Sequence, residues 1–171
     1  MTYGKQGEPS IFQIIPVIDY TVRELCVRPY PLHPNGCPNV GRCDRCPPAA
    51  PLYDQVYDLT KPCYALVNEF DFEGHVARMR GLHPNWSIRQ LTCVLYWQPR
   101  ARKQLEEHIK RFLLTLPADL FQYRDRLRVE RCPEAMGVNI TETLAAVGIQ
   151  LEWPPVRVAR QVAVIGVLKL T

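Results

Sequence analysis

Hydrophobic and polar positions follow two different periods along this chain, and one long stretch follows neither. Residues 11–18 are β-branched and apolar, which predicts a strand that Pro16 confines to a sheet edge or a strand end. Tyr20 to Leu25 has room for one helical turn. Over residues 61–70, Cys63, Ala65, Val67 and Glu69 alternate with Tyr64, Leu66 and Asn68, the first set the more apolar, and a strand is expected. Ser87 with Gln90 makes a capping box, Trp86 and Leu91 are placed as its hydrophobic staple, and Ile88, Leu91 and Leu95 share a face. Pro99 predicts a break. After it Leu105, Ile109, Phe112, Leu113 and Leu116 form an apolar stripe opposite Arg102, Lys103, Glu106, Glu107, Lys110 and Arg111, with His108 expected to face solvent and Pro117 ending the helix.

Further on, Leu127 and Val129 alternate with charged neighbours in a short strand that delivers Cys132. Asn139 and Glu142 open a two-turn helix, and Gly148 supplies its left-handed exit. Ile149, Leu151 and Trp153 predict a strand stopped by Pro154 and Pro155, and the nearly unbroken apolar run over 162–170 predicts a central strand. Together these elements predict a mixed α/β (α+β) fold over residues 1–171, one domain with a mixed sheet and flanking helices.

The stretch without a period is 26–51. It holds seven prolines with Gly36 and Gly41, and a loop of that length inside a compact domain is usually functional. Cys26, Cys37, Cys43 and Cys46, four of the seven cysteines, fall within it among Arg, Pro, Asn and Asp, whereas Cys63 and Cys93 stand singly on apolar faces. A chain of 171 residues with 47% hydrophobic content buries enough surface without a metal staple, so a metal here points to chemistry. With no secretory leader recognised, a cytoplasmic setting and reduced thiols are expected, which makes clustered cysteines metal ligands or catalysts rather than disulfides. The longest uncharged apolar run, 162–168, is far below the roughly 20 residues of a membrane span.

Zinc is one candidate, although only Cys43 and Cys46 have the paired-knuckle spacing. Iron-sulfur ligation fits better, because Cys37, Cys46 and Cys132 are each followed by Pro, and a Cys-Pro pair closes the ferredoxin-type ligand run. Arg23, Arg28, Arg42 and Arg45 outnumber Glu24 and Asp44 near these thiols, which suits an anionic cluster or a small anionic substrate. His33 and Glu134 are the candidate proton-handling residues, Glu134 ranking first among the carboxylates; Glu69, Asp71 and Glu73 read better as surface charge. The net charge of +4 permits nucleic acid without indicating it, and the basic run 97–103 reads as a solvated face. There is no glycine-rich phosphate loop and no nucleophile elbow.

The stretch Pro29-Tyr30-Pro31-Leu32-His33-Pro34-Asn35-Gly36-Cys37-Pro38-Asn39, preceded by Cys26 and closed by Cys46-Pro47-Pro48, resembles the cysteine-rich core of uncharacterised, predicted metal-binding proteins of prokaryotes and phages. The segment Cys132-Pro133-Glu134-Ala135-Met136-Gly137-Val138-Asn139, with Thr143 and Gly148 after it, is similar to their C-terminal portion. The resemblance implies a four-iron four-sulfur cluster held by Cys26, Cys37 and Cys46, with Cys132 as fourth ligand or near neighbour. Cys43 departs from the pattern, which leaves open whether it or Cys132 completes the set. Three protein thiolates would leave one iron open as a Lewis acid, the reading adopted here, and imply an enzyme of lyase or sulfur-removing type. The alternatives are a binding or scaffold protein stapled by zinc or a fully ligated cluster, and an electron carrier.

Overall fold

The computed structural model describes residues 9–30 and 33–170; Pro31 and Leu32 of the cysteine motif lie outside them. The architecture is mixed α+β. In chain order the regular elements are β1 (Ser10–Ile14), α1 (Tyr53–Val56), β2 (Cys63–Asp71), α2 (Phe72–Leu82), α3 (Ile88–Leu91), α4 (Val94–Leu114), α5 (Ala118–Phe121), β3 (Leu127–Glu130), α6 (Ile140–Ala145) and β4 (Val158–Val167). The strands form one sheet in the order β1-β2-β4-β3, with β3 antiparallel to β4 in the register Leu127↔Val167 to Glu130↔Val164. The described residues divide into two compact units, one of 9–11, 66–116 and 151–162, the other of 12–30, 33–65, 117–150 and 163–170. Strands β2 and β4 each contribute residues to both.

The first unit is built on α4. Its buried side chains Trp97, Ala101, Leu105, Ile109 and Phe112 recur at helical spacing. Trp97 stacks on Phe70 at 5.5 Å and meets Phe72 edge-on at 5.4 Å, with Ala159 and Val76 filling in. Asn68, buried on β2, donates its side-chain amide to the Ala101 carbonyl at 3.1 Å, so its polar group is satisfied.

Three expectations change in this unit. The long helix begins at Val94 rather than beyond Pro99, because Pro99 falls only two turns in; its missing N–H leaves one carbonyl, that of the exposed Leu95, without its helical donor. His108 is buried, not solvent-facing, since it falls on the Leu105–Phe112 stripe. Glu69, Asp71 and Glu73 are exposed, as surface charge should be; Asp71, at the end of β2, also caps α2 by accepting from the Gly74 amide at 2.9 Å, and Glu69 pairs with Arg160 at 2.7 Å. Lastly, residues 149–153 form no strand. The Glu152 carboxylate instead accepts from the amides of Val156 and Arg157, both at 3.0 Å, curling the chain into an irregular turn before β4.

In the second unit Tyr53 and Tyr57 stack at 4.2 Å over β4, where Gly166 is required: an added Cβ would meet the Tyr53 hydroxyl at 2.5 Å. The expected cap of α6 is present, Asn139 accepting from the Glu142 amide at 3.1 Å, and the short strand ahead of Cys132 is β3. The predicted single turn at Tyr20 is a 3-10 helix, Tyr20–Cys26, and it packs against a second one, Pro133–Met136. The Asp19 amide bonds to the Gly137 carbonyl at 2.8 Å and the Asn139 amide to the Val17 carbonyl at 2.8 Å. That docking brings the start of the cysteine loop beside the segment following Cys132.

Candidate metal centre

The 26–51 loop contains turns and no strand or α-helix, as its composition predicts. Each of its four cysteines has its carbonyl held by a backbone amide: Cys26 by Cys37 at 2.8 Å, Cys37 by Val40 at 3.2 Å, Cys43 by Cys46 at 3.0 Å and Cys46 by Ala50 at 2.9 Å. Gly36 makes the first of these bonds attainable. Its φ is +75°, and a Cβ there would lie 2.7 Å from the Cys26 carbonyl oxygen, so the chain passes Cys26 closely only without a side chain. The far end of the loop is tied down by Arg23, whose guanidinium donates to the Ala50 carbonyl at 2.9 Å and the Pro48 carbonyl at 3.3 Å.

Three of the thiols share one electrostatic neighbourhood. Burial pushes the Cys26 thiol up, and the negative charges that Cys37, Cys46 and Glu134 would carry push it further, against Arg23, which lowers it. Cys43 and Cys46 are closer still, sulfur to sulfur 3.3 Å, and Cys46 also reaches the Asn39 carbonyl at 3.1 Å. Within this pair the hydrogen bond from Cys46, together with the Arg45 amide, lowers the Cys43 thiol, while the same bond raises Cys46. Glu134, half-buried on the 3-10 helix that packs on the Tyr20–Cys26 turn, has its carboxyl raised by desolvation.

The remaining candidates lie at the margin. Cys132 is exposed and lines a cavity of about 320 Å³ with Asp44 and Arg45 of the loop and Arg131 and Met136. His33 leans on Tyr30, ring centroids 4.5 Å apart, and the two exchange backbone hydrogen bonds of 3.1 and 2.8 Å, which makes His33 a turn residue in this geometry. Cys63 is buried, its thiol raised to about 11 by burial, and it shares a 3.4 Å hydrogen bond with Tyr53. Cys93 is half-buried at the N-cap position of α4. Sequence reasoning missed the anchoring role of Arg23 and that of Gly36; the Asn-Gly pair at 35–36 was the available signal for the latter.

Among the described residues, no three His, Cys, Asp or Glu side chains close around a single point as the ligands of one ion would. The donor chemistry nonetheless fits a thiolate-bound group. When bare, Cys37 and Cys46 raise the Cys26 thiol, and Cys43 and Cys37 raise that of Cys46; a bound metal relieves that repulsion while displacing the thiol protons. The two possible groups make different geometric demands. Zn–S bonds of about 2.3 Å in a tetrahedron put two sulfurs about 3.8 Å apart, close to the spacing of Cys43 and Cys46. An iron-sulfur cubane binds its thiolates on separate irons rather than on one ion, and the set the motif resemblance implies for it is Cys26, Cys37 and Cys46.

No family model matches the chain, and comparison with curated proteins and with solved structures likewise found no match. The resemblance to predicted metal-binding proteins therefore rests on the motif residues themselves. No helix among the described residues is long and apolar enough to cross a membrane.

Proposed function

We propose that the protein binds a four-iron four-sulfur cluster through Cys26, Cys37 and Cys46 and acts as an enzyme on a small anionic substrate, in lyase or sulfur-removing chemistry. The observation that carries this reading is the approach of Cys37, Cys46 and Glu134, drawn from two distant parts of the sequence, to within electrostatic range of Cys26. When bound through three protein thiolates, the cluster would supply a Lewis-acidic iron. The adjoining cavity is lined by Arg45 and Arg131 alongside Asp44 and Glu130, and its two guanidinium groups would hold a substrate carboxylate or phosphate. Glu134, with its raised carboxyl, keeps a proton available beside the thiols. In this reading Cys132, exposed on the cavity wall, faces the substrate and is not a ligand.

The 3.3 Å approach of Cys43 to Cys46 favours one competing reading, a zinc ion held by that pair in a structural role. Anaerobic purification with metal analysis separates the two. Iron and sulfide in stoichiometric amounts, with broad visible absorption, support the cluster; colourless protein with one zinc overturns it. In the first case Cys26→Ala, Cys37→Ala and Cys46→Ala bleach the protein, while Cys132→Ala keeps the colour and loses turnover. A coloured Cys37→Ala variant breaks the ligand assignment.

A further inference from the structure

The unit built on α4 carries a surface that the metal centre does not use. Between Glu73 and Glu106 the sequence has no acidic residue and six cations, Arg78, Arg80, Arg89, Arg100, Arg102 and Lys103. All six are exposed, and none shares a salt bridge among the described residues. Three rings stack in the middle of this stretch: His83 on Trp86 at 3.9 Å and 7°, and Trp86 on Tyr96 at 5.1 Å and 28°. Tyr96, at one end, is 52% exposed. Along α4, Tyr96, Arg100 and Lys103 recur at i, i+4 and i+7, so the aromatic ring and two cations fall on one helical stripe. Burial first, and then the charges of Arg78 on α2 and Arg100 on α4, depress the titration of His75, so each helix brings a cation near it.

We propose that this surface binds single-stranded nucleic acid, stacking a base on Tyr96, the exposed end of the ring stack, and gripping phosphates with Arg89, Arg100 and Lys103. An aromatic platform flanked by unpaired cations is the combination that unpaired bases on a phosphate backbone require. Five of the six cations are Arg, whose planar fork matches phosphate oxygens. Duplex fits less well, because its base faces are stacked on one another and not presented to an aromatic ring. The exposed aliphatics Leu82, Ile88 and Leu95 would also suit an anionic membrane surface, and the test includes that source of phosphate.

The experiment is fluorescence anisotropy of the full chain against a labelled oligothymidylate of about 15 nucleotides. Saturable binding is expected, weakening with salt along a log–log slope of about −2, the value for three phosphates on a single strand. Tyr96→Ala should weaken binding about 5- to 100-fold, the loss of one stacked base. Lys103→Ala should flatten the slope by about 0.7. Both positions are exposed, and an unchanged circular-dichroism melt confirms that the variants fold. Absence of saturable binding by the wild type overturns the proposal. So does a Tyr96→Ala variant that binds as tightly as wild type, equal affinity for a duplex of the same length, or capture by phosphatidylserine vesicles with none by the oligonucleotide.

Discussion

In the α4 unit Trp97 sits between Phe70 and Phe72, 6% exposed, with Ala101 and Ala159 closing around it. In the 26–51 loop only Gly36 and Ala50 are buried among the described residues. One region is ordered by removing apolar surface from water, the other by amide–carbonyl bonds on its cysteines, a left-handed glycine and the grip of Arg23. The lesson is about where stability comes from. Apolar burial holds whatever the solution contains, whereas a loop made of exposed backbone hydrogen bonds gains most from a ligand that binds only its folded form.

The sharpest way to break this contrast is to attack each region and ask whether metal matters. Trp97→Ala should cost about 3–5 kcal/mol, the loss of a large buried aromatic, and lower the melting temperature equally with and without bound metal. Gly36→Ala should cost about 3 kcal/mol, combining left-handed strain with a backbone clash, and abolish metal retention as read by elemental analysis. If Gly36→Ala kept its metal, the close passage at Cys26 would not be what shapes the site. Ser87→Ala removes one arm of the capping box of α3 and should cost about 1 kcal/mol in a denaturant melt, leaving metal content unchanged.

The smallest effect sharpens the comparison by pH. The backbone amides of Arg157 and Val156 hold the Glu152 carboxyl down at about 2, below its ordinary 4.5. A group depressed in the folded state stabilises above its unfolded pKa and loses that contribution as pH falls through the folded one. Melting temperature should therefore decline between about pH 4.5 and 2, and Glu152→Gln should flatten that part of the profile. An unaltered acid profile in the variant would show that the turn before β4 does not depend on this carboxylate.

Much of the fold was legible because its determinants lie within a few residues of one another. The Ser87–Gln90 box, the Asn139 cap, the Leu105–Phe112 stripe and the apolar run of β4 each contain their own reason. What escaped was long-range or cooperative. Pro99 reads as a stop but is carried inside α4, because burial of Trp97 and Ala101 outweighs one lost hydrogen bond. Residues 149–153 alternate like a strand, yet Glu152 finds three amides further along the chain and makes a turn instead. Asp71 is surface charge as read, but its capping role was hidden because a cap is recognised only once its helix is.

The cysteine cluster divides in the same way. Composition and spacing by themselves determined that 26–51 is an irregular, thiol-rich loop and that Cys63 belongs elsewhere, since those facts follow from local residue chemistry. Only the tertiary structure decided which groups meet: Glu134 comes to Cys26 because two 3-10 helices more than a hundred residues apart pack together, and Cys132 is left facing a cavity. The reason is that electrostatics and ligation depend on distance in space, which a sequence fixes only through the packing of the whole chain.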